Sequence, residues 1–223
     1  MILDPILISL KIASIATVST FLLGTFLAYV FKRFEFKGKD FLEVLVTLPM
    51  VLPPSVTGYG LLILIGKRGL LGGFLLDKFG VSLVFTWVAG CIAASVVSLP
   101  LMYQSAKSAL MGVDQSYENA ARTLGAGEWK VFRKVTLPLA WPGIISGIVL
   151  SFARALGEFG ATLMVAGNIP GKTETIPLSI YYAVESGNTS KANTLMAIVV
   201  AFSFVLIFSL NRWLKKKKYS RRD

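Results

Sequence analysis

The sequence contains no histidine and a single cysteine, Cys91. The first absence rules out imidazole acid–base chemistry and the usual His/Cys zinc site. The second rules out a disulfide framework within the chain. Charge is also scarce. Charged residues make up 16% of the 223, against about 25% in soluble globular domains. The acids are fewest, 12 Asp and Glu against 23 Lys and Arg.

Hydrophobic residues are 54% of the chain, gathered in blocks near the roughly 20 residues a bilayer-spanning helix needs. Five blocks qualify, at about 5–31, 41–66, 82–106, 141–167 and 193–213. The expected fold class is an all-α integral membrane protein, a single membrane domain over 1–223. The first block carries no basic leader and ends on Lys32-Arg33, so it is expected to be a retained span, not a cleaved signal. Pro49, Pro53 and Pro54 remove backbone donors in the second block. A single bent helix is the economical reading there, with two short segments as the alternative. Pro100 is expected to bend the third.

The cations alternate between loops. Sixteen fall in 32–40, in 107–140 and in the tail 211–223, and five on the other side, at Lys67, Arg68, Lys78, Lys172 and Lys191. Excess Lys and Arg mark cytoplasmic loops, which places the N-terminus outside and the basic tail inside. The net +11 is therefore topological. A nucleic-acid footprint would need a basic face on a soluble domain, so no nucleic-acid partner is expected, whereas membrane lipid is. No two halves of the chain match, which disfavours an inverted-repeat secondary transporter.

Several residues stand out. In 117–138, YENAARTLGAGEWKVFRKVTLP, residues Tyr117, Ala120, Ala121 and Leu124 share one helical face. Asp114 is placed to cap that helix and Gly125 to stop it. A second short helix is expected to carry Trp129, Phe132 and Val135 and to end at Pro138. A helix lying on lipid shows bulky apolar residues, whereas two alanines before a glycine turn suit a shaped protein socket. Within the fourth block Arg154 and Glu158 lie four apart and can pair. Ionisable residues in a span point to function, and equally the pair could fix packing. Pro53, Pro54, Ser55 and Thr57 interrupt the second block, and freed backbone at membrane depth must face protein or a water-filled cavity. Gly143, Gly147 and Ser151 form a small-residue stripe suited to close helix packing. The run GLLILIGK at 60–67 fails as a phosphate loop on spacing and on the residue after Lys67.

The stretch 117–138 resembles the cytoplasmic E-A-A loop of ABC import permeases: Ala120, Ala121, Gly125, then Val135, Leu137 and Pro138, with Asn119 where that family has an acid and Glu118 just before it. LPMVLPPSVTGYGLLILIGKRGLLG and SFARALGEFGATLMVAGNIPGKTETIPLSIYYA resemble the molybdate branch of these permeases. Sulfate/thiosulfate permeases share a similar Arg…Gly-Glu segment. The resemblance implies the ABC type I importer permease fold and a molybdate permease of the bacterial plasma membrane that is not itself an enzyme. It implies that Tyr117, Glu118, Ala120, Ala121, Leu124, Gly125, Leu137 and Pro138 couple to a separate ATPase; Pro53, Pro54, Ser55, Thr57, Arg154 and Glu158 are candidates to border the pathway on the strength of the broken and charged spans themselves, with a simple packing kink or packing pair as the alternative. The implied partners are a second permease copy, an ATPase dimer and a periplasmic or extracellular molybdate-binding protein. No cofactor or metal is expected on this chain, since ATP and magnesium belong to the ATPase. Tungstate, sulfate or thiosulfate remain alternative cargoes. A secondary anion transporter or a non-transporting membrane anchor remain alternative classes.

Overall fold

The computed structural model describes the backbone of residues 2–219 and the side chains of residues 2–215. The basic tail predicted at 211–223 thus lies partly outside the described residues, Arg221 and Arg222 among them. The described residues form helices joined by short connections, with no strand among them. In order it comprises α1 (Leu3–Arg33), α2 (Lys39–Thr47), a 3₁₀ turn (Leu48–Met50), α3 (Pro54–Ile65), α4 (Leu70–Phe79) and α5 (Trp87–Met111). There follow α6 (Gln115–Thr123), α7 (Glu128–Val131), a π turn (Phe132–Thr136), α8 (Leu137–Leu156), α9 (Gly160–Ala166), α10 (Ile176–Glu185) and α11 (Thr189–Tyr219).

Five helical stretches are long and apolar enough to cross a membrane: Leu3–Arg33, Pro54–Phe79, Trp87–Met111, Glu128–Leu156 and Thr189–Lys215. The number agrees with the sequence reading, but the bounds of the second, third and fourth spans do not. The second block is not one bent helix. The N–H groups of Val51 and Leu52 both reach back to the Leu48 carbonyl, and Pro53 then turns extended (φ −54°, ψ 139°). Three prolines in six residues remove too many donors for the α ladder to continue. The spanning stretch starts only at Pro54 and includes α4, where an outer loop was expected. The third span begins at Trp87, where the Thr86 hydroxyl accepts the Ala89 N–H (3.3 Å), and runs unbroken through Pro100 to Met111.

The fourth span begins much earlier than 141. Pro138 does not end the second hairpin helix; the chain passes through the π turn straight into α8. The Leu137 N–H bonds five residues back to the Phe132 carbonyl. That wider turn accommodates Pro138, which offers no N–H and whose ring would crowd the Lys134 carbonyl in an α turn. The helix stops at Leu156, before Glu158. The segment between Gly167 and Thr189, read as a loop, contains α10.

Small residues set the packing. Ala13, Ala16, Thr20 and Ala28 of α1 are buried, and α1 lies along α5 and α8. A Cβ added to Gly143 would sit 2.6 Å from Ala109 Cβ, and one on Gly147 2.7 Å from Ser105 Cβ. The predicted stripe therefore serves close contact of α8 with α5, joined by a hydrogen bond from the Ser151 hydroxyl to the Ser98 carbonyl (3.4 Å). Without a hydrophobic driving force in lipid, such close backbone approach is what holds spans together.

Candidate functional site

At one end of the bundle the chain from Asp114 to Thr136 folds back as a helical hairpin. Asp114 Oδ1 accepts the Ser116 N–H (2.8 Å) and caps α6. Gly125, at φ +78°, ends it. The Gly125 N–H donates to the Arg122 carbonyl (2.9 Å) and the Ala126 N–H to the Ala121 carbonyl (3.1 Å), the Schellman pairing that satisfies a helix end. Tyr117 (59% exposed) and Leu124 (89%) project outward with the exposed Ala120. Ala121 is half-buried and Pro138 exposed, with Leu137 half-buried where the π turn enters α8. This is an apolar, small-centred face on a hairpin that stands clear of the helices beneath.

Glu118 does not share that face. It is 7% exposed and points into the protein. Its Oε1 accepts from Lys32 Nζ (2.9 Å) and from the Thr136 hydroxyl (2.8 Å). Lys32 Nζ also donates to the Leu110 carbonyl in the last turn of α5 (2.9 Å). Arg122 Nη2 lies 3.6 Å from Glu118 Oε2. Burial acts to raise the Glu118 carboxyl, but the hydrogen bonds from Lys32 and Thr136 and the charges of Lys32 and Arg122 hold it below the usual carboxylate range. A second, exposed tie runs from Arg33 Nη1 to Glu128 Oε2 (2.7 Å) and from Arg122 Nε to Glu128 Oε1 (2.8 Å). Lys32 and Thr136 were not singled out in the sequence. The available signal was that Glu118 and Arg122, four apart, fall about 100° and 140° round the helix from Tyr117.

The second cluster lies where two helices break. Gly157 to Phe159 separate α8 from α9, so Glu158 is not in the same helix as Arg154. They still pair, Arg154 Nη1 to Glu158 Oε2 at 2.7 Å. The other carboxylate oxygen, Oε1, accepts the Ala161 N–H (2.8 Å) and caps α9. The Glu158 side chain is 2% exposed and that of Arg154 33%. This break packs on the one at Pro53: a Cβ on Gly160 would meet Pro54 Cβ at 2.8 Å, and one on Gly58 would meet the Ala161 Cα at 2.8 Å. Pro53, Pro54 and Ser55 are exposed and Thr57 is buried. The start of one span and the end of another thus sit face to face.

Residues 3–218 match the family described as binding-protein-dependent transport system inner membrane component. The chain belongs to this family. It is 46% identical over 212 residues to the molybdenum transport system permease protein ModB of Escherichia coli K12, covering 95% of this chain and 92% of that one. It is 43% identical to the putative molybdenum transport system permease protein YvgM of Bacillus subtilis, over 93% of this chain and 92% of that one. The sulfate transport system permease protein CysT of E. coli K12 is 35% identical, over 92% of this chain and 73% of that one. Among solved structures, the MetNI methionine ABC transporter superposes with a TM-score of 0.74 at 18% identity, covering 97% and 95% of the two chains. A bacterial ABC transporter for the polysaccharide alginate superposes with 0.78 at 16%, covering 96% and 79%. The chain is a multi-pass membrane transport protein with the fold of ABC type I importer permeases.

Proposed function

We propose that this chain is the membrane-spanning subunit of an ATP-driven importer of molybdate. The observation that carries the substrate is the gradient of similarity: the molybdenum permeases of E. coli and B. subtilis match at 46% and 43% over more than nine-tenths of both chains and that of Haemophilus influenzae at 37%, the sulfate permease at 35% over part of its own length. In this reading Tyr117, Ala120, Ala121 and Leu124 dock into an ATPase subunit, with Gly125, Leu137 and Pro138 shaping the hairpin. Two copies pair about a two-fold axis, the commonest closed symmetry, and each meets one ATPase. ATP and magnesium are held by the ATPase, not by this chain. The N-terminus and the C-terminal end of α4 face outside, where a molybdate-loaded binding protein docks; the hairpin and the C-terminal end of α11 lie in the cytoplasm.

Pro53, Pro54, Ser55, Thr57, Arg154 and Glu158 border the pathway. The Arg154–Glu158 pair is neutral in sum, but its carboxylate is sealed and its guanidinium one-third open. The pair therefore presents its positive pole, enough to favour a dianion without holding it. A tight site would slow release.

The test is anion uptake into proteoliposomes containing this chain, its ATPase and its binding protein. Labelled molybdate should enter on ATP addition, and a tenfold excess of sulfate should leave that uptake largely intact. Uptake of sulfate in preference to molybdate would reject the substrate. Tungstate, of similar size and charge, is expected to compete.

A further inference from the structure

We propose that the buried Lys32–Glu118 pair is the joint through which movement of the hairpin reaches the membrane helices. The proposal rests on the reading that the hairpin docks an ATPase, and adds how docking becomes work on the spans. Docking alone moves only the hairpin. The chain itself joins α6 to α5 through residues 112–114, but something must tie α6 to α1, and α6 has few other means. Most of its residues are exposed, and Glu118 is its one buried side chain.

The geometry is that of a hub. One ammonium, Lys32 Nζ at the C-terminal end of α1, reaches both the Leu110 carbonyl of α5 (2.9 Å) and Glu118 Oε1 of α6 (2.9 Å). The same carboxylate oxygen takes the Thr136 hydroxyl from the π turn that leads into α8 (2.8 Å). Three spans and the hairpin thus meet at two side chains. A lysine among the last carbonyls of a helix is favourably placed, and a charged hydrogen bond is stronger than a neutral one. The pair lines a cavity of about 230 Å³, with Arg33, Arg122 and Glu128 around its rim. The rim ion pairs are solvent-exposed and contribute little, so the inner pair carries the connection. Tyr29 and Phe132, with ring centroids 4.3 Å apart, close the same seam. Lys32 and Glu118 act through position; neither touches the transported anion.

The test is the ratio of ATP hydrolysed to anion imported, in proteoliposomes containing the full complex. Lys32→Met and Glu118→Gln are each expected to retain the ATPase on co-purification and to raise that ratio by about fivefold or more, the lower end of measured coupling effects. The double variant should be no worse than either single, because both act through one joint. Lys32→Arg, which keeps the charge and the reach, should keep close to the wild-type ratio. An unchanged ratio in assembled single variants would overturn the proposal, as would additive losses in the double variant. Loss of ATPase binding in Glu118→Gln would show that the pair only shapes the docking face, and would also overturn it. If the wild-type chain itself binds no ATPase, the docking reading fails and the joint with it; if wild type binds and the variants stay coupled, the joint alone fails.

Discussion

Single side chains carry the sharpest expectations. The Glu118 carboxyl is held below its ordinary value, so its pairing contributes stability that is present above the unfolded value, about 4.3 for a free glutamate, and fades as pH falls through the lowered folded one. Amide exchange across 115–136 should be unaffected by lowering the pH from 7 to 5, once corrected for intrinsic rate. Protection should fall only at more acidic pH, and Glu118→Gln should diminish that acid step without abolishing it, because the Asp114 and Glu128 carboxyls of the same hairpin are also held below their ordinary values by the Ser116 N–H and by Arg122 and Arg33. Glu158 has two tasks, and a substitution must separate them. Glu158→Gln can still accept the Ala161 N–H, whereas Glu158→Ala loses the cap as well as the pair. A lost buried hydrogen bond to a charged group costs about 1–3 kcal/mol. The alanine variant should therefore melt lower in detergent than the glutamine one. Arg154→Ala should impair uptake more than Arg154→Lys. If Arg154→Ala combined with Glu158→Gln restores full uptake, the pair is a packing device and not part of the pathway.

In the proposed function the hairpin and the two helix breaks are the elements that matter most. Ala120 is exposed at the centre of the outer face. Overfilling a close-packed contact typically costs about 1–3 kcal/mol, so Ala120→Leu should leave the fold intact and weaken ATPase co-purification. A helix resting on lipid would respond oppositely, binding more firmly. Gly125→Val meets no side-chain obstacle, but a β-branched residue at φ +78° is strained by about 1–2 kcal/mol; the hairpin should fray while the spans hold. Both hairpin features were legible in the sequence, because an Asp cap and a Gly stop are local signals. The five spans were legible for the same reason: apolar length is a local property. The π turn was not, since Pro138 reads as a stop wherever an α ladder is assumed. Nor was α4, because Lys67-Arg68 and two glycines disguise an apolar helix as a loop. The Lys32–Glu118 contact joins residues 86 apart, and no periodicity reports such a distance. Glu158 was read correctly as Arg154's partner but wrongly as a mid-helix residue, since glycine at 157 alone does not announce a break.

At the scale of the whole molecule, the charged end and the hairpin coincide. Lys32, Arg33, Arg122 and Lys107 gather there, paired with Glu118, Glu128 and Glu43. The opposite end is tied more sparsely, by contacts such as the neutral Ile176 N–H to Ser9 hydroxyl bond (2.7 Å) and the single ion pair of Lys191 with Glu174 (3.2 Å). That asymmetry matches the positive-inside bias and supports an external N-terminus. A thiol reagent that cannot cross the membrane should label a cysteine placed at Lys78 in intact cells and not one placed at Lys37. The reverse pattern would invert the topology, and with it the side on which an ATPase could bind. The most direct measurement is ATP-dependent molybdate accumulation in sealed proteoliposomes, compared with and without the ATPase subunit and with wild type against Ala120→Leu. Uptake should require ATP, the ATPase and the binding protein together, and should be lost in the variant; equal uptake without the ATPase, or undiminished uptake by Ala120→Leu, would contradict an importer driven through this hairpin.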